Sequence, residues 1–100
     1  MEVLYKKPGE APVVLQIHSS LSELQELVGG YIEIVKLGED IAIICNEEGK
    51  LKGLEANFYV EAIDDIIVGP AVFCRIEGEE LASIGSNDSK WICHRLGWRC

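Results

Sequence analysis

The chain has no long apolar run and few cations, and each shortage argues against a class of protein. No apolar stretch among its 100 residues approaches the ~20 residues that cross a bilayer as a helix. Lys and Arg number nine against 17 Asp and Glu, giving a formal net charge of −8. Direct binding to a nucleic-acid backbone needs clustered cations, so we expect neither nucleic acid nor membrane as a partner.

The first residues, MEVLYKKPGE, lack the apolar core of a secretory signal and soon reach a Pro-Gly break. We therefore expect a protein that remains in the cytoplasm of the cell that makes it. Two of the four cysteines, Cys45 and Cys74, lie inside apolar strand-like runs. A thiol in such a run is expected to behave as a small buried hydrophobe.

Motifs for metal, thiol and phosphate chemistry are scarce. Cys93, His94 and Cys100 lack the paired spacing and the fourth ligand of a zinc site. His94 follows Cys93 directly, an arrangement that usually points the two side chains apart. Gly29-Gly30 follows a predicted helix, whereas a phosphate-binding loop precedes one. We expect no cofactor, no metal site and no catalytic residue, and therefore a protein that is not an enzyme.

The first third of the chain predicts two strands and a helix. Residues 2–6 and 13–17 read as strands joined through the Pro8-Gly9 turn. Ser20 and Glu23 form a capping-box pattern at the start of a helix, and leucines at helical spacing follow. Gly29 ends this helix, because glycine adopts the left-handed conformation without a Cβ clash.

Beyond the double glycine, extended structure dominates. Residues 31–37 and 41–45 predict a strand pair, and the second strand is apolar throughout, as in a strand covered on both faces. Residues 51–58 are ambiguous and read as an irregular loop with one helical turn. Residues 66–69 and 71–76 predict a further extended pair or one bent strand. Residues 77–84 predict a short helix.

The C-terminal end predicts either an amphipathic helix or a docked irregular tail. Residues 85–89 carry a loop signal, and the segment 90–100 places its apolar residues at mixed spacing. We predict one α+β domain over residues 1–84, with residues 85–100 as an extension. Its architecture is a small, mostly antiparallel sheet with one or two helices packed on one face. The tail could expose Cys93 and Cys100 and support self-association.

Two sets of side chains are candidate binding residues. Surplus carboxylates near turns could form an acidic surface for a basic partner, although a solvated face is the simpler reading. This acidic set is Glu39, Asp40, Glu47, Glu48, Asp64 and Asp65. Polar groups at strand ends, with cations that could face phosphate, could instead line a small-molecule pocket, although they are also ordinary loop residues. This ligand set is Tyr31, Asn46, Lys50, Lys52, Asn57 and Arg75.

Several separated motifs, in order, resemble a family described only as a domain of unknown function, common in phages, plasmids and conjugative elements of gut bacteria. These motifs are LVGGYIE (27–33), CNEEGKLKGL (45–54), Asn57 and DDIIVGPAVF (64–73). The opening, VLYKKPGEAPVVLQIHSSLSELQELVGGY, is also similar to that of the family. The match covers roughly residues 1–76. Phe58 stands where the family usually has an arginine.

The resemblance implies a mobile-element context, and some relatives resemble inhibitors of CRISPR nucleases. The leading hypothesis is therefore a non-enzymatic, anti-defence binding protein in the bacterial cytoplasm. It would occupy a basic, nucleic-acid-binding surface of a host protein through the acidic set. The alternative is a sponge that sequesters a nucleotide-like defence signal through the ligand set.

Overall fold

A computed structural model describes residues 1–18, 20–38 and 40–98, and the chain alternates between short strands and two helices. The strands are β1 (Glu2–Lys6), β2 (Val13–Gln16), β3 (Ile32–Gly38), β4 (Ile41–Asn46), β5 (Ala56–Val60), β6 (Asp65–Val68), β7 (Ala71–Glu77) and β8 (Glu80–Ala82). The helices are α1 (Leu21–Val28) and α2 (Ser86–Leu96), and a single 3-10 turn spans Glu61–Ile63.

The main sheet has the strand order β2-β1-β7-β4-β3, and every neighbouring pair is antiparallel. Strand β8 pairs with β7 beyond this path. Strands β5 and β6 form a separate two-stranded hairpin. In this order β7 and β4 are central, whereas β2 and β3 are the two edges of the sheet.

Both faces of the central strands are buried, and they contribute to two different cores. Alternate side chains of a strand point to opposite faces, so Ile41 and Ile43 lie on one face of β4 while Ala42 and Ile44 lie on the other. Helix α1 covers the second face through Leu24 and Val28. Helix α2 and the β5–β6 hairpin cover the first face.

The predicted α+β class and the mostly antiparallel sheet are confirmed. The helices divide between the two faces of the sheet instead of sharing one. The reason lies in β4, whose six residues are all buried and therefore need an apolar cover on each side. Helix α2 belongs to the same core as β4 and β7, because Ile92 and Cys93 pack there.

The predicted first helix is confirmed at both ends. The Ser20 hydroxyl accepts a hydrogen bond from the Glu23 backbone N–H at 3.3 Å. The Glu23 carboxylate accepts from the backbone N–H of His18 at 3.0 Å, which ties the helix start to the end of the preceding segment. Gly29 adopts a left-handed conformation with φ of 80° and terminates the helix.

The prediction for residues 51–58 was partly wrong, because Ala56–Val60 form strand β5. Residues 66–69 belong with β5 and not with β7. Gly69, with φ of 75°, redirects the chain before Pro70. The Gly69 N–H donates to the Glu55 carbonyl at 2.7 Å and closes the β5–β6 hairpin. Local pattern did not reveal this pairing because both possible partners of β6 are apolar.

The predicted helix over residues 77–84 is wrong, since β7 turns at Gly78 into β8. In β8, Leu81 lies opposite Ile76 and so gains a cross-strand apolar contact that a short isolated helix lacks. The predicted loop at 85–89 is largely helical. The Asp88 carboxylate accepts from the Gly85 N–H at 2.8 Å and from the Arg75 guanidinium at 2.7 Å. These contacts start α2 at Ser86.

Replacing Phe73 by Ala is expected to lower the free energy of unfolding by about 3–5 kcal/mol, because it removes the largest fully buried side chain and leaves a cavity. Urea denaturation followed by circular dichroism measures the change. The matched control is Val14→Ala on the exposed β2 edge, expected to change stability by less than about 0.5 kcal/mol. Equal losses in the two variants would contradict the two-core description.

Candidate functional site

A cleft of about 260 Å³ lies between the β3–β4 pair and the β5–β6 hairpin. We call it the acidic cleft, because Glu33, Glu47 and Asp65 all line it. Its apolar lining includes Leu51 and Ile66. The cleft exists because the hairpin is hydrogen-bonded to itself and packs over the sheet without joining it.

Strand geometry determines which side chains of β3 and β4 face the acidic cleft. Glu33 lies opposite Cys45 in the β3–β4 register, and both point toward the hairpin side of the sheet. Ile32 and Ile34 alternate with Glu33 and therefore point to the α1 side. Sequence reasoning did not select Glu33. Its position between two isoleucines of a strand was the available signal, since alternation sets it apart from them.

Asn46 fixes the turn that carries Glu47 into the cleft. Its side-chain carbonyl accepts from the Glu48 N–H at 2.8 Å, and its amide donates to the Val28 carbonyl at 3.1 Å. Asn46 is buried, with 5% of its surface exposed. Its hydrogen bonds therefore tie the end of α1 to the turn after β4 and fix that turn.

One of the cleft carboxylates is neutralised within the chain. The Lys50 ammonium lies 2.5 Å from the Asp65 carboxylate. Its hydrogen bond, followed by that from the Ile66 backbone N–H, lowers the pKa of Asp65 below the ordinary 3.8. Within the described ranges, Glu33 and Glu47 have no ion-pair partner. The cleft therefore keeps a negative charge at neutral pH.

Cys45 lies in the lining of the cleft but is not available as a nucleophile. Burial, followed by the nearby Glu33 carboxylate, raises the pKa of the Cys45 thiol to about 11. The thiolate, and not the thiol, is the reactive form. Burial likewise raises the pKa of Cys74 to about 11. Both thiols are therefore protonated at neutral pH and act as apolar packing groups.

Large apolar side chains lie exposed around the cleft. Leu51, in the turn beside the cleft, is 88% exposed. This exposure is unfavourable, because moving a leucine side chain out of water lowers the free energy. Ile63 and Ile66 on the hairpin side are also exposed by more than 40%. These side chains give the surface beside Glu33 and Glu47 an exposed apolar part.

The predicted acidic set is divided among several places. Glu47 and Asp65 meet in the cleft, and Glu48 follows on the same turn. Asp40 precedes β4 and Glu47 follows it, so seven residues at the strand rise of ~3.4 Å separate them by up to about 24 Å. Asp64 accepts a hydrogen bond from the Tyr59 hydroxyl at 2.6 Å, at the turn of the hairpin. Glu39 lies outside the described residues.

The predicted ligand set also does not converge. The Asn57 side chain forms hydrogen bonds within the fold. Its amide donates to the Lys6 and Gly69 carbonyls at 2.8 Å. Its carbonyl accepts from the Lys6 ammonium at 2.9 Å. Burial lowers the pKa of Lys6, which also lies 5.6 Å from the centre of the Trp98 ring. Asn57 thus joins the hairpin to β1 and to the turn before β7, while Lys6 contacts the C-terminal segment.

The other members of the ligand set have separate surroundings. Arg75 forms its ion pair with Asp88 of α2. The Tyr31 side chain is 68% exposed, while its backbone carbonyl accepts from the Glu47 N–H at 2.8 Å. Lys52 lies near Gly30, where its ammonium is 3.2 Å from the position a Cβ would take. These placements do not form a common phosphate pocket.

The apolar residues of the tail face the molecule's own core. Trp98 stands edge-on to Phe58 and Phe73, with ring centres 5.0 and 5.7 Å away. Trp91 packs against the same cluster, and Cys93 is buried instead of exposed. The contacts predicted for tail-mediated self-association are thus used within the chain. Cys100 lies outside the described residues.

Within residues 1–18, 20–38 and 40–98, no group of three or more His, Cys, Asp or Glu side chains could hold a metal ion. Neither described helix has the length and apolar character that would cross a membrane.

Replacing Lys50 by Met is expected to raise the pKa of Asp65 toward 3.8, because the variant removes the principal hydrogen bond to the carboxylate. A carboxylate with a lowered folded pKa stabilises the fold above its unfolded pKa, and that contribution is lost as pH falls through the folded pKa. A carbon-13 NMR titration of the carboxyl carbon measures the pKa. Lys52→Met is the control, and an equal shift there would reject the assignment to Lys50.

Replacing Asn57 by Ala is expected to lower the free energy of unfolding by about 1–3 kcal/mol, because two carbonyls and the Lys6 ammonium lose a partner. Thermal or urea denaturation measures the loss. Asn87→Ala, at an exposed site in the first turn of α2, is the control and is expected to change stability by less than about 0.5 kcal/mol. A neutral Asn57→Ala variant would leave Asn57 available for a ligand role.

A family model matches the chain over almost its whole length. Neither the curated proteins nor the solved structures include a significant match to the chain. The family model described as Domain of unknown function (DUF3846) matches residues 1–96. This span runs from β1 through the last residue of α2 and includes every described strand and helix. It is longer than the part of the chain, roughly residues 1–76, over which the sequence motifs resemble a family. The chain therefore belongs to the DUF3846 family of domains of unknown function.

Proposed function

We propose that this domain is a non-enzymatic binding protein that occupies a basic surface of another protein. The observation that supports the proposal is the acidic cleft. There Glu33 and Glu47, which have no ion-pair partner among the described residues, lie beside exposed Leu51 and Ile66. In the anti-defence hypothesis, the target surface is the nucleic-acid groove of a host protein such as a CRISPR nuclease. Such a groove presents the clustered cations that the cleft complements.

The two kinds of side chain in the cleft would have different effects on binding. Carboxylates attract a cationic partner over distance and raise the association rate, an effect that salt screens. Burial of exposed Leu51 and Ile66 would supply affinity that salt affects little. A partner surface that combines Lys or Arg with apolar side chains fits both requirements.

The charge of the cleft favours a protein partner over the nucleotide-like signal of the alternative hypothesis. A phosphate group needs cations or free backbone N–H donors. Lys50 is the one cation in the described lining, and Asp65 already neutralises it. A dianionic ligand would therefore meet net repulsion from Glu33 and Glu47.

Replacing Glu33 and Glu47 together by Lys is expected to weaken capture of basic host proteins at least about tenfold and to reduce the salt dependence of binding. The tagged domain is incubated with a bacterial host lysate at two salt concentrations. Quantitative mass spectrometry then compares the bound proteins and small molecules between variants. The control is the Glu26→Lys/Glu79→Lys variant, which makes the same change in charge at exposed sites away from the cleft.

Three outcomes of this experiment are informative. Loss of basic, nucleic-acid-binding proteins from the cleft variant, with retention by the control, supports the proposal. Equal loss from both variants assigns binding to net charge and rejects the cleft as the interface. Enrichment of a nucleotide without a protein would reject the proposed function in favour of the sponge.

A further inference from the structure

We infer that the outer edge of β3 binds an extended, basic segment of the partner protein as an added strand. This inference rests on the proposed function, because it specifies how the partner would meet the acidic cleft. β3 forms one edge of the main sheet and pairs only with β4 among the described strands. It spans seven residues, whereas the opposite edge strand, β2, spans four.

The strand register identifies the backbone groups that face outward. The Tyr31 carbonyl accepts from the Glu47 N–H at 2.8 Å, so Tyr31 and Glu47 are a hydrogen-bonded pair. Hydrogen-bonded and non-hydrogen-bonded pairs alternate along an antiparallel ladder. Two residues along, Glu33 therefore bonds with Cys45. The backbone N–H and C=O groups of Ile32, Ile34 and Lys36 consequently point away from β4.

An added strand would place alternate side chains directly over the acidic cleft. Neighbouring strands lie about 4.8 Å apart, so those side chains would stand next to Glu33 and Val35 on the hairpin side of the sheet. Lys or Arg at these positions would be close to Glu33 and Glu47. The side chains between them would meet Ile34, which is half exposed on the α1 side.

The charge of the chain favours a basic occupant over a second copy of this protein. Two copies would each contribute a formal charge of −8, and β3–β3 pairing would bring two acidic clefts toward one another. A cationic strand relieves that charge while it satisfies the outward N–H and C=O groups. Edge strands with open hydrogen-bonding groups are known recognition sites for extended peptides.

The test uses nitrogen-15-labelled domain and an acetylated, amidated peptide of the length of β3 that alternates Lys or Arg with Val. A peptide with Glu and Asp in place of the cations is the matched control. Binding of the basic peptide is expected to slow amide hydrogen exchange at Ile32, Ile34 and Lys36 by about tenfold or more. Exchange at Val14 and Gln16, which the β1–β2 register points outward from the opposite edge, is expected to remain unchanged.

A pair of proline variants tests the role of the backbone. Ile34→Pro removes one outward N–H and is expected to raise the dissociation constant of the peptide about tenfold or more. Proline is tolerated where a strand N–H faces solvent. Val14→Pro makes the matched change on the β2 edge and is expected to alter affinity less than about twofold. Should Ile34→Pro fail to fold, the exchange measurement on the unmodified domain still decides the question.

The outcomes separate this inference from the proposed function. If the basic peptide binds, Glu33→Lys/Glu47→Lys weakens it, and β3 amides gain no protection, strand addition is rejected while basic-surface binding stands. If neither the peptide nor any basic lysate protein binds, both are rejected. If β3 amides become protected as protein concentration rises without peptide, and the mass in solution doubles, the occupant is a second copy and the inference is rejected.

Discussion

The fold depends on the burial of both faces of the central strand pair. β4 and the first part of β7 are hydrogen-bonded to each other, and their side chains alternate between two apolar cores. Each face must therefore be covered. Helix α1 covers one face, while α2 and the β5–β6 hairpin share the other. Because the hairpin covers its face without joining the sheet, a seam remains beside β3, and this seam is the acidic cleft.

Hydrogen bonds of Asn57 and an aromatic cluster hold the β5–β6 hairpin in its position beside the cleft. Asn57 binds backbone groups of β1 and of the turn before β7, and it shields the Lys6 ammonium from the cost of burial. In the aromatic cluster, Phe58 stacks on Phe73 with ring centres 5.5 Å apart, and Trp98 packs edge-on against Phe58. Of the ligand set, Asn46 and Lys50 line the cleft, whereas Asn57 acts by holding the hairpin beside it.

Ion pairs within the chain neutralise part of its negative charge, which reduces the charge that its surface can offer to a partner. Lys50 neutralises Asp65, and Arg75 neutralises Asp88. The negative charge left in the cleft comes from Glu33 on β3 and Glu47 in the turn after β4, which are well separated in sequence. The binding surface that we propose, with two carboxylates and exposed Leu51, would depend on shape and apolar contact as much as on charge.

Sequence alone determined the features that local physics controls: the cap and end of α1, the β3–β4 hairpin, the buried character of β4 and the overall α+β class. It also carried the motifs of the family to which the chain belongs. Tertiary structure decided what β6 pairs with, the strand at Glu80–Ala82 and the place of each helix, because several apolar partners were available and packing selected among them. It likewise decided the cleft, since Glu33, Glu47 and Asp65 meet only after separate strands and turns have come together in space.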